Sequence, residues 1–151
     1  MQDSAAESIA EELLYITGKA LLEADFRMFS ECFRLPQMME TVDGRRLIAT
    51  ESEFLYTFNS VRRHLHKCGV VDFARTVVSA KFLDADTIGS THVSILLGAD
   101  GQERGRPYPV YSVIRRHGNI WQIVSSLYAI LDNPAYNEAL MATPGFHSTD
   151  H

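Results

Sequence analysis

The sequence predicts an α+β fold: a curved antiparallel sheet wrapped around three N-terminal helices, closed by a short C-terminal helix. Three observations lead there. Apolar residues recur at three- and four-residue spacing over the first stretch of chain and again from Phe54 to Leu65. From Val70 onward the periodicity changes to strict alternation in long runs. Turn signals at Asp43-Gly44, Asp100-Gly101 and His117-Gly118-Asn119 divide the strand-forming segments into neighbours that can pair antiparallel.

Each element has its own warrant. Ile9, Leu13, Ile16 and Ala20, with Leu14, Thr17 and Leu21 beside them, give the first helix a wide apolar face. Asp25 is placed to cap a short second helix through Phe26, Phe29 and Cys32. Pro36 forbids continuation, and Gln37 to Thr41 is expected as a strand returning through Asp43-Gly44 to Arg45–Ala49. Thr50-Glu51-Ser52-Glu53 fits a capping box, and the helix it starts ends at Gly69. Strands follow over Val70–Leu83, Thr87–Leu97, Tyr108–Arg116 and Ile120–Leu131. Asn133-Pro134 starts the terminal helix, and Thr143–His151 is expected as a loose tail.

The chain's 151 residues suit one domain, 1–151, with its core over about 8–131 and the terminal helix and tail over 132–151. A hydrophobic share of 46% and a charged share of 22% exclude a disordered chain. Fourteen basic against nineteen acidic side chains argue against a nucleic-acid partner. No run approaches the roughly 20 apolar residues of a membrane span, and the acidic N-terminus lacks the basic leader of a signal peptide. Two cysteines suit a reducing compartment, so the expected location is the cytoplasm, with no membrane partner.

Alternation along the strands predicts which side chains face the hollow that such a sheet encloses. The inward sets are expected to be Phe73, Arg75, Val77 and Ser79; Ser90, His92, Ser94 and Leu96; Tyr111, Val113 and Arg115; and Trp121, Ile123, Ser125 and Leu127. That lining is mostly apolar with a few polar points, the composition of a small-molecule site. A slip of one residue would invert each set. His92 is the candidate proton carrier and Arg75 a candidate anchor for a carboxylate or phosphate. His64, His66 and Cys68 do not converge on one metal ion, because on a helix only the first and last share a face. Arg104-Gly105-Arg106-Pro107 is expected as a solvated flank rather than a ligand site.

The order of these elements resembles the NTF2-like superfamily, in its SnoaL-like and ketosteroid-isomerase-like branches. The resemblance is carried by Ala24-Asp25-Phe26 with Phe29 and Phe33, by the hairpin after them, and by the ending Ser112-Val113-Ile114-Arg115-Arg116-His117-Gly118-Asn119-Ile120-Trp121-Gln122-Ile123. It implies a cone-shaped cavity open at one end, on a fold that hosts enzymes and non-catalytic modules alike. The isomerase machinery is not reproduced. Its oxyanion-donating tyrosine falls near Thr17, its general base near Thr41 and its second acid near Tyr111. Two of those roles are unfilled, and Tyr111 supplies only a phenol.

The expected function is therefore binding of a small hydrophobic or weakly anionic molecule, without a cofactor or a metal. The ligand-facing residues are expected to be Thr17, Phe33, Phe54, Phe58, Phe73, Arg75, Ser94, Val113, Trp121, Ile123 and Ser125. The alternative is a cofactor-independent isomerase, lyase or hydrolase in which His92 and Tyr111 move protons. Val78, Val93, Ile95 and Ile114 are expected on the convex face of the sheet, where they would support a homodimer.

Overall fold

The computed structural model describes residues 2–144. The expected tail lies outside the described residues from position 145 on, His147 and His151 included. Helix α1 runs Gln2–Glu23, and Ala24 in the left-handed conformation (φ 60°) turns the chain into α2, Phe26–Ser30. The carboxylate of Asp25 accepts the amide of Met28 at 3.0 Å, satisfying one of the free donors at that helix start. Strand β1, Phe33–Thr41, begins before the proline that was expected to precede it: Phe33 already pairs in the sheet, and a register shift between Phe33 and Met38 accommodates Pro36. β2 is Gly44–Ile48.

Helix α3, Glu51–Lys67, starts with the capping box complete: Thr50 Oγ1 accepts the Glu53 amide, and the Glu53 carboxylate accepts the Thr50 amide. Those bonds hold the Glu53 carboxyl below its usual range. Gly69, at φ 74°, ends the helix as expected. Four strands follow, β3 Val70–Asp84, β4 Thr87–Gly98, β5 Tyr108–His117 and β6 Ile120–Tyr128, then α4, Pro134–Leu140, capped by Asn133.

The six strands form one sheet in the order β2-β1-β6-β5-β4-β3. Neighbours are antiparallel except at the β1–β6 seam, which is parallel and makes the sheet mixed. The cause lies in the path of the chain. After β2 it crosses by way of α3 to the far edge, lays down β3 to β6 in sequence, and arrives beside β1 running the same way.

Strand pairing arranges the concave face in rows. Phe82, Ile88, Ile114, Ile123 and Phe33 pair across five strands as an apolar row. The next row is Ala80, Ser90, Ser112, Ser126 and Met39. Beyond it lie Val77, His92, Val110 and Tyr128, and then Arg75, Ser94 and Tyr108. Helix α1 covers the first row with Ala6, Ala10 and Leu13, whose small side chains allow close approach, and this is the narrow end of the cone. Phe54, Val61 and Leu65 of α3, with Tyr136 and Leu140 of α4, pack over the wide end.

Three register features correct the expected facing: a bulge between Val77 and Ser79 in β3 turns Ser79 outward beside Thr91, and two others act on β5 and β6. A two-residue turn at Asp100-Gly101 would set Tyr111 opposite Ser90. The connection instead runs through residues 99–107, with Leu97 bridging Glu103, and Tyr111 pairs with Thr91 on the outer face. Tyr111 and Val113 therefore point away from the hollow; Tyr111 is 40% exposed and its ring lies over Gly89. A bulge between Ile123 and Ser125 reverses the facing of β6, turning Ser125 and Leu127 outward and bringing in Ser126 and Tyr128. The β4–β5 register also puts Ile114, expected on the convex face, inside at 2% exposure.

Candidate functional site

The wide end of the cone holds a cavity of about 70 Å³. Its two walls differ in chemistry because they come from different elements. The helix side is aromatic and aliphatic: Leu14, Leu21, Phe29, Phe54, Phe58 and Val61, joined by Phe33 where β1 leaves α2. Rings of Phe29, Phe33, Phe54 and Phe58 stand 4.9–5.5 Å apart in tilted and edge-on pairs. The sheet side carries Arg75, His92, Ser94, Tyr108, Ser112, Ser126 and Tyr128, with Tyr136 reaching in from α4.

Among the described residues, Arg75 is the cation of the cavity, and no Asp or Glu lines it. Its Nη1 donates to the Leu14 carbonyl at 3.2 Å and to the Thr17 hydroxyl at 3.0 Å, both uncharged acceptors on α1. Thr17 Oγ1 in turn donates to the Leu13 carbonyl at 2.8 Å. The guanidinium carbon stands 5.7 Å from the Phe73 ring centre. Arg75 Nε is buried with no hydrogen-bond partner, and Arg75 enters no ion pair among the described residues. A buried donor of this kind forfeits its hydration with nothing in return until a ligand or water supplies an acceptor.

His92 is 4% exposed and its Nε2 also lacks a partner. Burial, with the Arg75 charge adding to it, lowers its pKa to about 3, so the imidazole is neutral at physiological pH. The phenols behave in the opposite sense. Burial pushes Tyr128 up to about 12 and Tyr136 well above its usual value, so both remain O–H donors. Tyr108 and Tyr136 share a hydrogen bond at 3.0 Å. The site thus presents a permanent positive charge, phenolic and seryl hydroxyls and a neutral imidazole against an aromatic wall.

Of the residues expected from sequence, the structure brings Thr17, Phe33, Phe54, Phe58, Phe73, Arg75, His92, Ser94 and Ile123 to the cavity. Tyr111, Val113 and Ser125 are on the other face of the sheet, for the register reasons above. Trp121 is inward but beyond the apolar row, against Phe82 and under Arg116, so it plugs the narrow end instead of lining the cavity. Tyr108, Tyr128, Tyr136, Ser112 and Ser126 were missed. On β5 the order Tyr-Pro-Val-Tyr-Ser-Val-Ile puts apolar groups on both faces, so alternation gave no choice between them. His64 Nε2 and Cys68 Sγ lie 3.7 Å apart while His66 is exposed, and no three His, Cys, Asp or Glu side chains gather around one point among the described residues. Arg104 folds back over Gly98 and pairs with Asp100 at 3.1 Å.

The chain has the NTF2-like, cystatin-like fold. Among solved structures it is similar to a cystatin-like domain of unknown function from Nostoc punctiforme, with a TM-score of 0.69 and 16% identity over 84% of this chain and 78% of that one. It is similar also to an NTF2-like protein from Novosphingobium aromaticivorans, with a TM-score of 0.64 and 19% identity over 91% and 90%. A candidate dehydratase of the NTF2-like family from Streptomyces avermitilis matches with a TM-score of 0.62 and 13% identity over 85% and 97%. No family model and no curated protein sequence matches the chain. No helix among the described residues is long and apolar enough to cross a membrane.

Proposed function

We propose that this chain binds a small molecule with a short apolar body and one carboxylate, held in the wide end of the cone. The observation that carries this reading is Arg75: a cation in the cavity wall with no carboxylate in ion-pair contact among the described residues and a buried Nε–H lacking an acceptor. A carboxylate accepts from a guanidinium in the plane of its fork, so it would meet that donor and supply the missing counter-charge. The body of the ligand would lie against Phe29, Phe54 and Phe58. Size restricts the choice, since 70 Å³ is about half of the ~150 Å³ that accepts benzene in an engineered core.

Catalysis is the weaker reading. An imidazole whose conjugate acid has a pKa of about 3 has little drive to take a proton near neutral pH. The phenol expected beside it, Tyr111, faces outward.

Titration of acetate, butyrate and hexanoate against the protein, followed by NMR, tests the binding reading, with butanol as the uncharged control. Butyrate is expected to bind more tightly than butanol, and Arg75→Met to weaken butyrate by about tenfold or more, the cost of a charge-assisted hydrogen bond. Equal binding of butyrate and butanol, or butyrate affinity unchanged in Arg75→Met, would overturn it.

The outer face of the sheet supports a sheet-to-sheet homodimer as part of this proposal, since Val78, Tyr111 and Leu127 are exposed there beside half-buried Val93 and Ile95. Analytical ultracentrifugation should show a dimer in the micromolar range; a monomer throughout would remove it.

A further inference from the structure

A second, larger hollow of about 590 Å³ lies outside the cone, in the seam between α1 and β3. Leu14, Phe73 and Arg75 line both this outer cleft and the inner cavity, so these three side chains are the partition between them. What fastens the partition is slight: the two hydrogen bonds from Arg75 Nη1 to the Leu14 carbonyl and the Thr17 hydroxyl. The strand that carries Phe73 and Arg75 is an edge strand, paired on one side alone. Register shifts interrupt its ladder at Val70/Asp72 and at Val77/Ser79, on either side of the segment in question. A short panel of an edge strand bounded by irregularities moves at less cost than a central strand, whose two ladders must both yield.

The helix opposite adds an independent observation. Gly18 is buried within α1, although glycine inside a helix costs about 1 kcal/mol relative to alanine. A Cβ there would stand 3.4 Å from Arg75 Nη1 and 3.7 Å from the Phe73 ring. A Cβ would rest there in ordinary van der Waals contact, so position 18 faces the seam and a longer side chain would fill it.

From this arrangement we infer that the α1–β3 seam is the entrance to the cavity and that Arg75 is its latch. The cleft carries Glu11, Glu23 and Asp72 against Lys19 and Arg75, and an anion that passes them to reach the guanidinium competes with Leu14 O and Thr17 Oγ1 for it. As Arg75 exchanges those neutral acceptors for a charged one, the partition opens and the ligand follows the side chain inward. The inference rests on the carboxylate reading for the ligand's charge, though the position of the entrance does not depend on it.

Labelling of a thiol placed inside the cavity by Ser112→Cys separates the two questions. Iodoacetate and iodoacetamide are near-isosteres of different charge, and each transfers its methylene carbon to a thiolate with loss of iodide. Exposed Cys68 is the reference in the same sample, while Cys32 is buried with its thiol pushed up to about 11 and stays unlabelled. In this background Thr17→Val, which removes one latch acceptor, should speed labelling of the introduced thiol about tenfold relative to Cys68. Gly18→Leu, which fills the seam, should slow it by at least about fivefold, and Thr17→Val carries the test if that variant does not fold. Arg46 ties the chain after α4 to the body by donating to the Ala142 carbonyl and the Thr57 hydroxyl, so Arg46→Met loosens the other conceivable mouth. Its labelling rate should stay within about twofold of the parent. Acceleration by Arg46→Met, with no response to Thr17→Val or Gly18→Leu, would overturn the inference. Seam variants that act equally on iodoacetate and iodoacetamide would keep the entrance and overturn the carboxylate reading instead.

Discussion

The two ends of the cone are built on the same strands yet serve opposite ends. At the narrow end Ile88, Ile114 and Ile123 pair in one row and meet Ala6, Ala10 and Leu13 of α1. At the wide end the same strands present Ser112, Ser126, His92, Tyr108 and Tyr128, and α1 offers Thr17 in place of an alanine. Close-packed aliphatic side chains gain from burial whether or not a ligand is present. Orphaned polar atoms at Arg75 Nε and His92 Nε2 do the reverse, and persist only because the rest of the molecule outweighs their cost. Buried apolar residues support both ends, but the polar chemistry is concentrated at one end, a few residues along each strand from the all-apolar row at the other.

Ile114 and Ser112 test that division most directly, being two residues apart on β5, both inward and both buried. Ile114→Ala should cost about 4 kcal/mol of unfolding free energy in urea denaturation, because the narrow end has no slack to close the void. A cost below about 1 kcal/mol would mean that the narrow end is not the close-packed support described here.

The next effect in size belongs to the wide end and depends on pH. Above pH 6.5 His92 is neutral whether the chain is folded or not. As the pH falls below that, the unfolded chain takes up a proton that the folded one refuses until about pH 3, so stability declines with acid across this window. The loss between pH 7 and pH 4 comes to about 3 kcal/mol. His92→Leu removes the titrating group, and its stability should fall by that much less over the same interval. Parallel pH–stability curves for the two proteins would refute the buried, neutral state of His92.

The smallest effect sharpens the contrast. Ser112→Ala, which deletes one hydroxyl from the cavity wall, should change stability by no more than about 1 kcal/mol while altering butyrate binding. A loss as large as that of Ile114→Ala would show the wide end to be packed for stability as well.

Helices and strands were legible in the sequence to within a few residues, with the start of β1 and the end of β6 off by three or four, because caps, positive-φ glycines and periodicity are local. Thr50 with Glu53, Asp25, Gly69 and Asn133-Pro134 each act within one turn of chain. The sequence also marked Arg75, His92 and Ser94 as one face of neighbouring strands, since alternation within a strand is local too. The facing of β5 was not legible. It depends on how residues 99–107 count against β4, and a single residue there decides whether Tyr111 or Tyr108 enters the cavity. The bulge in β6 and the parallel seam with β1 were equally hidden, since both are relations between segments far apart in the chain.

What the amino-acid order determined by itself, then, was a set of elements and their two-sidedness, with an arginine and a histidine among the apolar positions. Tertiary structure alone decided that no carboxylate among the described residues would line the cavity with that arginine, that three tyrosines from β5, β6 and α4 would gather near it, and that its guanidinium would cross the seam beside Gly18 of α1. The physical reason is that local backbone preferences act over a few residues, whereas the register of a sheet and the neutralisation of a charge are settled by whichever side chains the completed fold brings within reach.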